Sequence, residues 1–254
     1  MNIWCAGFYD WEICWVPCHP KEIIKYAVWL YYRLNASLRD TVEGLFYRGF
    51  EVSHETIRQW VYKFGALFSS LVKKQQPKKG DKWHLDEVCL TIKGKRYWLW
   101  RAIDQDGFEL DVLLQPRRNA KAAVRFFIKL LKGLCYVPRV IITDKLRSYK
   151  AAKKKVLKTT EPRSHKRLNN RIEVSHQPTR IREKIMRGFK SPKQAQLFLS
   201  TFGVLRNHFK IGLYKLSATA RREKLREVFN GWSQLTSSSF APKNRKITPL
   251  KPNL

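Results

Sequence analysis

The apolar residues of this sequence change their period once. The change falls at a polar stretch, Lys73-Lys74-Gln75-Gln76-Pro77-Lys78-Lys79-Gly80-Asp81-Lys82, which has no apolar side chain apart from its proline. Before it apolar residues recur at helical spacing; after it they alternate. One element cannot hold both periods, so the chain must build a helical part and then a sheet. The stretch 73–82 reads as a linker between a domain at 21–72 and a second at 83–209, with an atypical segment at 1–20 and a basic tail at 210–254 in which 220–229 can form a short amphipathic helix.

In the first part, Ile24, Val28, Tyr31 and Leu34 predict a helix over about 21–34. Ser37 can cap a second helix through Leu38, Val42, Leu45 and Phe46, ending near Gly49. Ser53 can cap a third with Ile57, Val61, Phe64 and Phe68 inward. Three short helices with a glycine turn suggest a helix-turn-helix. Its third helix would turn Glu55, Arg58, Gln59, Tyr62 and Lys63 outward, with Arg58 and Gln59 suited to base edges and Lys63 to a phosphate. A plain helical bundle with a wet polar face has the same pattern, and only the charge of the chain separates the two.

That charge is large. Lys and Arg number 51 against 20 Asp and Glu, a formal +31, which calls for a polyanionic partner; double-stranded DNA is the default. Nine Trp and fourteen Phe supply a core and exclude wholesale disorder. The longest apolar run, around Tyr26 to Tyr32, is far short of the roughly 20 residues that span a bilayer. The start Met1-Asn2-Ile3-Trp4-Cys5 lacks the pattern of a signal peptide, and five irregularly spaced Cys fit reduced thiols, so a cytoplasmic protein associated with the nucleoid is expected. Cys5, Cys14, Cys18 and His19 lack the paired knuckles of a zinc site.

The second part reads as strand 83–92, a turn at Lys93-Gly94-Lys95, strand 96–103, a turn at Asp106-Gly107 and strand 108–114. Asn119 then caps a helix over 120–132 that Gly133 closes, and Arg139 to Thr143 is a short buried strand. A helix near 148–157, a basic loop, a helical stretch around 172–187 and a helix opened by Ser191-Pro192 complete it. This order predicts an α/β fold with a mixed central sheet, RNase H-like, preceded by the all-α helix-turn-helix.

Acids are scarce enough for their places to matter. Asp86 falls on the strand face of His84, Val88 and Leu90, where an uncompensated carboxylate is costly. Asp144 ends the fourth strand, where α/β sheets open their ligand crevice. Between Lys145 and Lys190 there are 16 basic residues and only Glu161, Glu173 and Glu183. In the predicted fold Asp86 and Asp144 are neighbours and a later helix brings Glu173 over them. Such a trio needs a cation, and oxygen ligands select Mg²⁺ or Mn²⁺, two ions once DNA is bound. That is phosphodiester cleavage or transfer chemistry.

Five ordered motifs carry a resemblance: Trp83-His84-Leu85-Asp86-Glu87, Tyr97-Trp98-Leu99-Trp100-Arg101-Ala102-Ile103-Asp104, Arg117-Arg118-Asn119-Ala120-Lys121-Ala122-Ala123, Thr143-Asp144-Lys145 and Asn169-Asn170-Arg171-Ile172-Glu173. Over about 21–209 the chain resembles the Asp-Asp-Glu (DDE) transposases of the insertion-sequence six (IS-six) family. The resemblance implies catalytic and metal-binding Asp86, Asp144 and Glu173, and a DNA-binding Arg180 seven residues past the Glu. It also implies a homodimer that pairs terminal inverted repeats, frees a 3′-hydroxyl and joins it to target DNA. Lys145 and Lys184 are further DNA contacts in this reading. Pro178 requires any helix carrying Glu173 and Arg180 to kink or restart. His176, three residues past Glu173, is either a phosphate contact or structural. A non-catalytic regulator and a plain nuclease are the competing functions.

Overall fold

The structure is a computed structural model that describes residues 19–75, 80–144, 147–164, 170–211, 216–237 and 240. Serine caps start several of its helices. Ser37, Ser53 and Ser191 accept from the backbone N–H of Asp40, Thr56 and Gln194 at 3.1, 3.1 and 3.2 Å, each satisfying a donor the helix cannot. The N-terminal helices are α1 (Lys21–Arg33), α2 (Leu38–Phe46) and α3 (His54–Gln75). Helix α3 runs into the first residues of the expected linker, because buried Val72 continues its inner face past Phe68.

Alternation then sets the sheet. Strand β1 (Lys82–Ile92) sends Trp83 and Leu85 into one core and Val88, Leu90 and Ile92 into another, as period two requires. It turns at Lys93 and Gly94, both at positive φ (49° and 76°), the backbone a two-residue hairpin needs. Strands β2 (Lys95–Asp104) and β3 (Glu109–Gln115) complete the antiparallel meander. Helix α4 (Ala120–Leu134) crosses over to β4 (Val140–Thr143), which pairs parallel with β1; α5 (Arg147–Val156) leads to β5 (Glu161–Arg163), parallel with β4. The order β3-β2-β1-β4-β5 is a mixed, RNase H-like sheet.

Helices α6 (Asn170–Ser175), α7 (Gln177–Ile185) and α8 (Pro192–His208) follow, then α9 (Ala218–Ser237). One face of the sheet is covered by α4 and α5, with Trp83, Trp100, Phe126 and Phe127 buried between. The other is covered by α8, whose Phe198 and Phe202 share a single core with α1, α3 and Trp232 of α9. Gly203 lets α8 approach β3: a Cβ there would lie 1.6 Å from Glu109 Oε1.

The structure departs from the sequence reading in three further places. Gly133 does not close α4; the helix runs to Leu134, and Cys135 takes the left-handed position (φ 59°), its N–H bonded to Leu131 O at 2.8 Å. The basic loop before Glu173 contains β5, a three-residue edge strand without apolar alternation to announce it. The short helix expected over 220–229 is the longer α9, whose sparse apolar residues nonetheless bury Trp232 between Phe68 and Phe209, with ring centroids 5.1 Å from each. The Cys5, Cys14 and Cys18 set lies outside the described residues. Among the described residues no helix is long and apolar enough to cross a membrane.

Candidate active site

Sheet register brings two of the scarce acids together. Leu85 pairs with Thr143 across the parallel β1–β4 ladder, so Asp86 and Asp144 emerge side by side at the ends of that pairing. A third acid joins them. One carboxylate oxygen each from Asp86, Glu87 and Asp144 lies within 4.8 Å of the others. Adjacent residues of a strand point to opposite faces, so Glu87 descends toward α5 while Asp86 faces α6.

Glu87 pays for that position. Its side chain has no exposure, Oε1 makes no hydrogen bond among the described residues, and Oε2 meets Arg118 Nη2 at 3.4 Å. Burial pushes its carboxyl up to about 7, against the pull of Arg118 and with help from Asp144. The buried Tyr149 hydroxyl faces the same acids and is held well above its ordinary range, by burial first and then by Glu87. Arg118 also reaches Asp144 Oδ2 at 3.2 Å while its guanidinium lies 4.9 Å over the Trp98 ring. It is the internal counter-charge of the cluster.

Asp86 is held by hydrogen bonds. Oδ1 accepts from Glu87 N at 2.8 Å, and Oδ2 lies 3.0 Å from His176 Nε2. His176 occupies the break between α6 and α7, which Pro178 foretold. Its Nδ1 is 3.5 Å from Arg101 Nη1. A guanidinium only donates, so Nδ1 accepts and Nε2 carries the hydrogen given to Asp86. Arg101 is fixed in turn by Glu109 at 2.6 Å and by the carbonyl and hydroxyl of Ser175. Thus a buried chain from Glu109 through Arg101 and His176 aims the Asp86 carboxylate.

Glu173 sits on α6, which packs against β1, and its side chain lies outside the described part of the structure. Arg180 lines the same cleft as Asp86, Glu87 and His176 despite the helix break. Lys184, one turn further along α7, is exposed, and Lys145 lies outside the described residues. On α3, Arg58 and Gln59 are exposed; Arg58 is held by Glu55 in a two-pronged pair at 2.7 and 2.5 Å. Lys63 is exposed beside the Phe64 ring, whereas Tyr62 is half-buried and its hydroxyl accepts from Gln194 at 3.0 Å.

The sequence reading missed Glu87 as a site residue. The signal was present: by alternation it shares the face of Trp83 and Leu85, where an acid has no business without a partner. The donor set is all oxygen, and one buried oxygen lacks a partner, so these residues fit a hard divalent cation.

Glu87 also makes stability depend on pH. Between about pH 4.5 and 7 the native state keeps a proton that the unfolded chain has released, so stability falls as pH rises through that window, by about 3 kcal/mol. In a metal chelator, melting temperature should therefore drop more steeply from pH 5 to 7.5 in the parent than in Glu87→Gln. Parallel curves would refute the buried-acid account.

A family model described as a DDE domain matches residues 80–211. Over 168 residues the chain is 38% identical to the transposase for insertion sequence-like element IS431mec of Staphylococcus aureus, covering 64% of this chain and 75% of that relative. The transposase for insertion sequence element IS257 in transposon Tn4003, from the same species, matches with the same identity and coverage. Among solved structures, the HTLV-2 integrase catalytic core domain in complex with magnesium aligns at a TM-score of 0.40 and 13% identity, over 57% of this chain and 94% of that one.

Proposed function

Because this chain belongs to the insertion-sequence six (IS-six) family of DDE transposases, enzymes of DNA transposition that use divalent metal, we propose that it cuts insertion-sequence ends and joins them to target DNA, with Asp86, Asp144 and Glu173 as its catalytic acids. The convergence of the Asp86 and Asp144 carboxylates where the β1–β4 pairing ends carries this reading. Asp86, Asp144 and Glu173 would hold two Mg²⁺ or Mn²⁺ ions, which supply positive charge to both the entering and leaving oxygens at phosphorus.

The remaining roles belong to the protein. His176 keeps Asp86 oriented as an acceptor, and Arg118 balances Asp144 and Glu87. Arg180, exposed at the rim of the cleft, would grip a phosphate. Lys63, Lys145 and Lys184 add phosphate contacts. Arg58 and Gln59 read base edges from α3 in a helix-turn-helix, and Tyr62 supports that helix from the side. In the first step a water oxygen adds to phosphorus and the P–O3′ bond breaks, the water's proton passing to the departing 3′-oxygen. In the second, that 3′-hydroxyl attacks a target phosphodiester and displaces another 3′-oxygen, which takes the proton. A homodimer would pair two inverted repeats for this, in the bacterial cytoplasm at the nucleoid.

The test is a joining assay with purified protein, duplex DNA ending in the element's own inverted repeat, a target plasmid, and Mg²⁺ or Mn²⁺. Joined product that appears only with metal is the expected result. Binding with neither cut nor joined DNA would identify a regulator instead, and cut ends that never join, a nuclease.

A further inference from the structure

The α6–α7 break separates two clefts. His176, Gln177 and Arg180 line the one that holds the carboxylates, while Val174, Ser175 and Pro178 line a larger one of about 740 Å³. The larger cleft lies between the end of α1, the last turn of α8, the first turns of α9 and the β2–β3 turn. Its cations are Arg33, Arg101, Arg206, Lys210 and Arg221, against the carboxylates of Asp106 and Glu109.

Those cations do not all have local tasks. Arg101 is neutralised by Glu109 at 2.6 Å. Arg206 donates to the Arg33 carbonyl at 2.8 Å and lies 5.2 Å over the Phe202 ring. Lys210 donates to the Asp106 carbonyl at 2.9 Å. Arg33 and Arg221 are different: among the described residues neither has a carboxylate within salt-bridge distance. They are close enough that Arg221 adds to burial in holding Arg33 below its usual range. Burial, then Arg33 and Arg101, push Arg206 down to about 10. Helix α9 also opens with no acid in its first turn, so Arg221 faces the positive end of its own helix. Like charges gathered in a concave, partly apolar site are tolerable when an anion completes it.

We propose that this cleft binds the phosphodiester backbone of DNA through Arg33 and Arg221, as a contact separate from the carboxylate cleft and from α3. The inference rests on the reading that the protein acts on DNA. Leu225 in the wall offers apolar surface to the sugars, and the volume falls within the roughly 300–1,000 Å³ of ordinary ligand sites. An acidic segment of a second copy is a poorer fit, because the only adjacent acids in the sequence are Asp86-Glu87.

The experiment compares the full-length parent with Arg33→Gln/Arg221→Gln by fluorescence anisotropy, across a range of KCl concentrations. The duplexes are an inverted-repeat DNA and a random one of equal length. The slope of log affinity against log salt should become shallower by about 1.8, since each phosphate contact contributes about 0.9, and equally for both duplexes. Mn²⁺ binding followed by electron paramagnetic resonance should not change. The charge-keeping Arg33→Lys/Arg221→Lys variant should retain the parent slope. Should the double Gln variant melt early, Arg221→Gln alone, at an exposed position, should lose about 0.9. An unchanged slope would overturn this proposal alone, and so would displacement of DNA by micromolar deoxyadenosine monophosphate or inorganic phosphate, which would make this a free-nucleotide or phosphate site. A parent protein that binds no DNA would overturn it together with the transposase reading.

Discussion

Asp86→Asn is expected to abolish joined product while leaving DNA affinity equal to the parent's or higher. The amide is nearly the same size and its oxygen can still accept from His176, giving up only the local bond from Glu87 N–H, so the strand and the α6–α7 break should keep their positions. What is lost is one of the two negative charges that Asp86 and Asp144 present together where the β1–β4 pairing ends. A divalent ion stabilises transition-state charge by several kcal/mol, so a site that no longer holds it loses on the order of 10³-fold in rate or more. DNA binding moves the other way, because one anion beside the phosphates has gone. Measured side by side, joining and anisotropy separate the two effects. Product formed at near the parental rate would remove Asp86 from the chemistry.

Arg182→Ala is expected to unfold the protein at a much lower temperature without touching the acids. Arg182 is fully buried, donates to the carbonyls of Tyr31 and Ala36, and lies 3.9 Å over the Tyr31 ring. It therefore ties α7 to the end of α1 and the connection to α2. Each hydrogen bond from a charged donor contributes about 1.5–3 kcal/mol, and the truncation leaves two carbonyls without their donor beside a cavity. A loss of about 4 kcal/mol follows, roughly 10 °C in melting temperature for a chain of this size. Arg182→Lys should recover only part, since an ammonium cannot span both carbonyls as the guanidinium fork does. A melting temperature within about 2 °C of the parent for Arg182→Ala would show that the strut carries no load.

Arg182 also shows where the sequence was legible and where it was not. The basic stretch from Lys145 to Lys190 includes Arg180 and Lys184, both exposed. Two residues from each, helical rotation turns Arg182 about 200° away and into the core. Net charge is a sum and carries no direction, so it could not single out the buried member. Alternation, by contrast, does carry direction. It located the strands to within a residue or two, put Asp86 on the Val88–Leu90 face, and placed Asp144 at the end of β4. The same rule applied to Glu87 would have added it to the cluster. Pro178 announced the break now occupied by His176, because a ring without an N–H cannot continue a helix. What escaped was fixed by partners elsewhere in the chain: β5, set by pairing with β4, and the length and docking of α9, set by aromatic contacts made some 160 to 200 residues away.

That last arrangement bears on how the molecule is made. Trp29 of α1 meets Phe229, and Lys25 donates to Ser237 at 2.9 Å, so the first helices translated find partners among the last described residues. A growing polypeptide leaving the ribosome would carry the aromatic faces of α1 and α3 uncovered until α8 and α9 had been synthesised. Contacts of such long sequence separation form slowly, and exposed aromatic surface in the interval invites association with other nascent chains. The emergence of α9, rather than of the N-terminal helices, is then the event that lets this core close.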